Sequence, residues 1–416
     1  MDMEIPYGDG KLALSIEKDR LLGVFRPNSV DAGEPARILA EALAAPENSP
    51  PLRQFSEGAE SVLFLVNDAT RPTPTAEVLD ALEEVYGGPE PEFLVATGIH
   101  RAPTEAELEK IFGRHLERFR GRIHAHDARR EDECVLLGKS RNGTEMRVNR
   151  RVLDADRIVV ISSVEPHYFA GYTGGRKSFL PGVAAYSTIE QNHRLALSPD
   201  AQAMRLEGNP VHEDMVDAMA TITKPVFAIN TVLDGQHRLV GASAGHIHQS
   251  LEKAAKIADG VFAVDVPRRA EVVVAVVGAP ADIDLYQSQK GIDNGKLALA
   301  DGGVLILVSA CRDGIGERAF VDMLASADSP EQVLEKIKSG YKLGWHKAGK
   351  MAEVFCRASV WAVTGIEPEE LERMFIKAWQ PSELQRAVEQ ALEKTGPSSQ
   401  AIVLLDASLA VPRPRS

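Results

Sequence analysis

Cysteine is scarce, with 3 in 416 residues. Cys134, Cys311 and Cys356 lie far apart and form no C-x-x-C pair, which excludes a zinc-ribbon or dithiol redox motif and fits reduced thiols in a cytoplasm. Long apolar runs are missing as well. The longest, such as Val272–Val277, fall far short of the roughly 18 residues a membrane helix needs, and the acidic opening Met1-Asp-Met-Glu-Ile-Pro lacks a basic or apolar leader region. Export and membrane insertion are therefore not expected. Basic residues are outnumbered, 47 Lys and Arg against 60 Asp and Glu, for a net charge of −13. That balance excludes a broad phosphate-backbone surface, so nucleic acid is not an expected partner. No G-x-G-x-x-G follows a strand, so a standard dissociable NAD site is not signalled, and no internal repeat is present.

What is present is an ordinary folded composition, 44% apolar and 26% charged, in a chain long enough for two or three domains at about 100–200 residues each. Short aliphatic or β-branched runs bounded by turn residues read as buried strands: Val62–Val66, Phe93–Ala96, Arg157–Val164, Val226–Asn230, Val261–Val266, Glu271–Val277, Val304–Ser309 and Ala401–Leu405. Amphipathic helical patterns lie between them at Thr75–Tyr86, Thr104–Phe112, Leu251–Asp259, Glu331–Ser339 and Ser382–Lys394. The alternation predicts an α/β fold with mainly parallel sheets. A break at Asp265-Val-Pro-Arg-Arg-Ala sets the expected domain boundary near Pro267, giving an N-terminal α/β domain over 1–266 and a C-terminal one over 267–416. The tail from Val411 reads as a surface extension.

Four segments place polar groups at the ends of apolar strands, where α/β folds carry their binding crevices. In Asn67-Asp68-Ala-Thr-Arg71-Pro72-Thr-Pro74-Thr75 a stiff turn leads into a helix, and Asp68 and Arg71 either face a ligand or pair with each other while Asp68 and Thr75 serve as caps. His100 sits in the turn of Ala96-Thr-Gly-Ile-His100-Arg101-Ala-Pro-Thr104, before a capping box from Thr104 to Glu107. The third segment, Ser163-Val-Glu165-Pro166-His167-Tyr-Phe-Ala-Gly171-Tyr-Thr-Gly174-Gly175-Arg176-Lys177-Ser178, offers a possible base and a nucleophilic amine on a glycine-rich loop. Arg176 stands where a phosphate loop needs glycine, so a nucleoside triphosphate is a poor reading. Helix-borne His193, in Gln191-Asn192-His193-Arg194, is a single imidazole. It is structural, or its metal takes the other ligands from something bound. The fourth segment, Gly278-Ala-Pro280-Ala-Asp282-Ile-Asp284-Leu-Tyr286-Gln287-Ser-Gln-Lys290-Gly291, reads as a strand-end turn leading into a helix over Ile292–Ala300, with Gln287 and Lys290 suited to a carboxylate and a hydroxyl. His124-Ala-His126 has the spacing of a zinc hydrolase but no further ligands spaced to match.

Taken together, Asp68-Ala-Thr-Arg71-Pro, Ala96-Thr-Gly-Ile-His100-Arg, Glu165-Pro-His167 through Arg-Lys177, Gln191-Asn-His193 and Tyr286-Gln287-x-x-Lys290-Gly closely resemble the nickel-pincer lactate racemase family, over roughly residues 60–350. The resemblance implies two α/β domains with the active site in the cleft between them. It further implies a nickel-pincer nucleotide, a Ni(II) complex of pyridinium-3,5-bisthiocarboxylic acid mononucleotide, covalently linked to Lys177. His193 matches the nickel ligand, and His100 and His167 match the two catalytic histidines of a hydride relay that inverts C2 of a 2-hydroxy acid. Asp68 and Arg71 match the cofactor and substrate pocket, Gln287 and Lys290 match substrate-binding residues, and Trp345 resembles a family aromatic near the site. Cofactor-making enzymes are implied as partners. The side chain of the 2-hydroxy acid, the cofactor loading and the oligomeric state are left open by these motifs, and a noncatalytic binder of the cofactor or hydroxy acid is the competing class.

Overall fold

The computed structural model describes residues 1–415 as two compact units, Ser29–Val261 and a second made of Met1–Asn28 with Phe262 onward. The expected boundary at Pro267 falls close to the Val261/Phe262 crossing. The contribution of Met1–Asn28 to the second unit was not foreseen by the division into 1–266 and 267–416.

In the unit Ser29–Val261, six strands run in the order Leu239–Gly245, Val226–Leu233, Arg157–Ser163, Val62–Asn67, Glu92–Ala96, Ile123–Ala125. All pairings are parallel except the edge pair of Val226–Leu233 with Leu239–Gly245. Alternate side chains on both faces are buried, Phe64 and Val66 on one and Leu63 and Leu65 on the other, as expected when a parallel sheet is covered on both sides. Phe64, Phe93 and Phe112 stack edge to face with ring centroids 5.2–5.3 Å apart and join Val78, Leu79 and Leu82 of the helix Thr75–Leu82 in one core. The predicted capping box forms at Thr104 and Glu107.

Chain direction within this sheet creates the crevice. From Val62–Asn67 the chain crosses to Glu92–Ala96 on one side, and only later returns to lay Arg157–Ser163 on the other. Connections leave the carboxyl ends of Val62–Asn67 and Arg157–Ser163 in divergent directions, and ligands of open α/β sheets bind at such a switch point.

The second unit carries a fully parallel sheet in the order Ile376–Trp379, Ser359–Val363, Leu299–Val308, Ala270–Val276, Ala401–Leu404, Leu21–Phe25. A hairpin of Asp2–Tyr7 and Gly10–Ser15 buries Ile5 and Leu14 against Val272, Val274 and the helix Leu384–Thr395. Three readings change here. Val411–Pro414 is a strand paired with Ala263–Val266, so the tail is not a loose extension. Val261 and Phe262 end the helix Ile247–Phe262 instead of opening that strand. The helix expected over Ile292–Ala300 runs earlier, Leu285–Gly295, because Asp284 accepts from the Gln287 amide and caps it; the strand then begins at Leu299. Among the described residues no helix is long and apolar enough to cross a membrane.

Candidate active site

Three short connections at the switch point bring together side chains from distant parts of the chain. After Val62–Asn67, buried Asp68 accepts from the Thr70 hydroxyl at 2.6 Å and from His100 Nδ1 at 2.7 Å. Burial works to raise the Asp68 pKa, but the hydrogen bonds from His100 and Thr70 and the Arg71 charge outweigh it and hold the carboxyl below its ordinary value. A carboxylate can only accept, so His100 carries a proton on Nδ1, and Nε2 is the nitrogen left to face a substrate. Arg71 does not pair with Asp68. It donates through Nη1 to Glu165, 2.8 Å away on the segment after Arg157–Ser163. Thr75 is no cap either: Pro74 precedes the helix, and the buried Thr75 hydroxyl has no hydrogen-bond partner among the described residues.

The glycine-rich loop is tied to the sheet by its backbone. Gly175 N–H donates to Ser162 Oγ and Asn230 Oδ1 at 3.1 and 3.0 Å. Gly174 has φ +82°, and a Cβ there would lie 2.4 Å from Val164 Cγ2, so only glycine lets the loop turn this close to the strand. Arg176 is fully buried; its guanidinium donates to the Ala170, Thr173 and Gly174 carbonyls. Burial pulls its pKa down to about 9, which still leaves it charged at neutral pH. Loss of these charge-assisted bonds in Arg176→Met should cost about 3 kcal/mol of unfolding free energy. Urea denaturation checks this; a change below about 0.5 kcal/mol would mean the loop holds itself.

The loop sets Lys177 against His167. Ala170 N–H donates to His167 Nδ1 at 3.2 Å, so the neutral ring bears its proton on Nε2, which lies 3.4 Å from Lys177 Nζ. A proton between Nε2 and Nζ can be shared only if the amine offers its lone pair, which requires a neutral lysine. The electrostatics agree. Burial first, then the Arg176 and Arg71 charges, push Lys177 well below 10.5 against a weaker pull from Glu165. Burial, then Lys177, Arg71 and His193, hold His167 well below 6.5. Phe169 joins the group, its ring 4.5 Å from His167 and 5.0 Å from His193 by centroid, with Lys177 Nζ 5.5 Å away. Nothing in the motif reading had singled out Phe169.

His193 lies on the helix Tyr186–Arg194, with Nδ1 3.1 Å from Asn192 Oδ1. The Asn192 amide nitrogen donates to Asp214 and to the Val211 carbonyl, which fixes its oxygen toward the ring. His193 therefore holds a proton on Nδ1, an orientation of the kind that metal-binding imidazoles take from a neighbouring acceptor. The zinc-hydrolase reading finds no such geometry: His124 pairs with Glu92 at 2.9 Å, while buried His126 bonds the Ala184 carbonyl and Asn149. Among the described residues one cluster has three ligand atoms within reach of one ion, Asp80, Glu83 and His115. Arg114 already pairs with both of its carboxylates.

Gln287, Lys290 and Trp345 belong to the other unit. Gln287 and Lys290 are in the helix Leu285–Gly295, one turn apart, and Trp345 opens the helix Trp345–Phe355. Lys347, two residues on, rests its Nζ 3.2 Å from the Tyr286 ring centroid and donates to the Tyr286 carbonyl at 3.1 Å. That contact ties the turn bearing Gln287 to the second helix, and the motifs gave no sign of it.

Two α/β units, one with oriented imidazoles and a buried lysine amine gathered at a sheet switch point, define an enzyme. Models of the lactate racemase N-terminal and C-terminal domains match residues 7–204 and 266–411. The lactate racemase of Thermoanaerobacterium thermosaccharolyticum is 33% identical over 348 residues, 81% of each chain, and that of Lactiplantibacillus plantarum is 30% identical over 97% of this chain and 98% of its own. The solved apoprotein of the Thermoanaerobacterium thermosaccharolyticum lactate racemase superposes with a TM-score of 0.90 at 30% identity, covering 99% of this chain and all of the other. A Thermotoga maritima protein shares the fold alone, at TM-score 0.67 and 19% identity over 92% of this chain and all of its own. The chain belongs to the lactate racemase family, and its class is that of the isomerases.

Proposed function

We propose that this enzyme inverts C2 of a 2-hydroxy acid, lactate being the first to test, with a nickel-pincer nucleotide joined covalently to Lys177. The observation that carries the reading is the His167–Lys177 contact, whose hydrogen-bond logic calls for a neutral, nucleophilic amine beside a fixed imidazole. The residues present fit such a group. The Lys177 contact with His167 suits an amine that can form an amide-type bond, and Asn192 orients the His193 ring through Nδ1. Arg176 Nε and Ser178 Oγ, on either side of Lys177 in sequence, are buried polar atoms without a hydrogen-bond partner among the described residues. A single imidazole would suffice if the bound group brought the metal's remaining donors itself.

When bound, that group would supply an electrophilic ring carbon able to take and return a C2 hydride. The chain's own task is then proton transfer and substrate placement. We assign His100 and His167 to the hydroxyl proton, each through Nε2. For one enantiomer a neutral His100 would act as base through Nε2 while His167 offers N–H; the opposite enantiomer needs the reverse assignment. Arg71 is assigned to the substrate carboxylate, with Gln287, Lys290 and Trp345 as further substrate residues, and Asp68 to the orientation of His100.

Intact-mass analysis of chain co-expressed with cofactor-making enzymes, with a metal count and a chiral lactate assay, tests the reading. A nickel-dependent addition mapped to Lys177, together with interconversion of the two enantiomers, is the expected result. An unmodified, nickel-free chain despite a competent supply would sink it, and a loaded chain inert toward every 2-hydroxy acid would leave a binder.

A further inference from the structure

The Arg71–Glu165 pair is absorbed by neither the proton-transfer nor the cofactor assignments above. Val66 and Ile161 are paired neighbours on adjacent parallel strands, so the segments that follow them emerge side by side at the switch point. Arg71 sits on a turn stiffened by Pro72 and Pro74 and closed by its own amide donating to the Asp68 carbonyl. Glu165 is clamped more tightly. Its backbone N–H donates to Thr173 Oγ1 at 2.9 Å, its carbonyl accepts from the Thr173 N–H at 2.9 Å, and the Thr173 hydroxyl donates on to the Ser163 carbonyl. The Glu165 carboxylate is therefore presented from a fixed backbone, and both members of the pair are about one-third exposed or less, at 33% and 27%.

How the pair is made matters more than that it is made. Glu165 takes a single donor, Nη1, at 2.8 Å. The Nε–Nη2 edge of the same guanidinium carries no protein partner among the described residues, and that edge is the planar fork that grips a carboxylate with two parallel bonds. A free arginine would present either edge and rotate between them. Here one edge is tied off.

We propose that Glu165 is a positioning residue for substrate recognition: by holding Arg71 through Nη1 it fixes the Nε–Nη2 fork for the carboxylate of the 2-hydroxy acid. The proposal rests on the racemase reading and deepens it by naming what selects carboxylates over other 2-hydroxy compounds. Glu165 itself touches no substrate. Its acceptor oxygen does the positioning, so the neutral isostere glutamine keeps the effect and alanine removes it.

The test uses loaded holoenzyme, wild type, Glu165→Ala and Glu165→Gln, with lactate and with lactamide, its neutral carboxamide analogue, as a competing ligand. In Glu165→Ala, KM for both lactate enantiomers should rise about ten-fold with kcat changed less than about three-fold, because a ground-state and transition-state contact is weakened equally. Glu165→Gln should restore KM to within about three-fold of wild type. Inhibition by lactamide should be the same in all three proteins. A merely structural role would lower kcat and the thermal midpoint together and weaken lactamide equally, and that pattern overturns the proposal. An unchanged KM in an active Glu165→Ala enzyme overturns it alone and leaves the racemase reading standing. A wild-type holoenzyme that racemises no 2-hydroxy acid overturns both.

Discussion

Lys177→Arg is expected to give a folded chain with no cofactor adduct and no detectable racemisation. The substitution keeps a long basic side chain but removes the chemistry, since a guanidinium stays protonated and cannot act as an amine nucleophile. The wild-type lysine is prepared for that role by its neighbours: His167 spends its Nδ1 lone pair on the Ala170 amide, leaving Nε2–H to meet the amine. Burial and the adjoining Arg176 and Arg71 charges work in the same direction on Lys177. Lys177→Met tests the point without introducing a buried charge, and it should lose the adduct equally while holding its thermal midpoint. Intact mass and peptide mapping read the outcome. An adduct retained on either variant would show that the attachment is elsewhere, and activity without an adduct would show that covalent linkage is dispensable.

Much of this arrangement was legible in the chain because it is local. The strand Val62–Asn67 and its turn, the Thr104–Glu107 capping box and the glycine-rich loop before Lys177 all follow from short-range patterns of apolar, capping and turn residues. What sequence could not show is partner choice across the sheet. Arg71 and Asp68 are three residues apart and look like a pair, yet Arg71 bonds Glu165 across a separation of 94 residues and Asp68 bonds His100 across 32. Strand order decides both. Order is also why Leu21–Phe25 escaped notice: it is a half-buried edge strand whose neighbour, Ala401–Leu404, lies at the far end of the chain. Gln287 and Lys290 were recognised as site candidates but placed in a turn, because the apolar pattern becomes regular only at Ile292, after the Asp284 cap has already started the helix.

The histidines give the other large effect. His100→Asn and His167→Asn should each lower racemisation in both directions by about a hundred- to ten-thousand-fold, the usual worth of a positioned acid or base, while the mass addition on Lys177 persists. On the proposed mechanism both directions fall together, because each imidazole would serve as acid for one enantiomer and base for the other. Asp68→Asn should lose about a hundred-fold, since an amide can present N–H to His100 Nδ1 and turn the ring to the wrong tautomer. The pH profile reports on His167. His167 is held well below 6.5, first by burial and then by Lys177. The proposed conversion of Lys177 to an uncharged adduct would remove the second cause but not the first, so the folded pKa would stay depressed. A lowered pKa means that His167 remains neutral on acidification until the pH passes below 6.5, and the His167-dependent loss of kcat/KM should begin only there. A limb at or above 6.5 that vanishes in His167→Asn would show instead that adduct formation opens the ring to water and restores its ordinary titration.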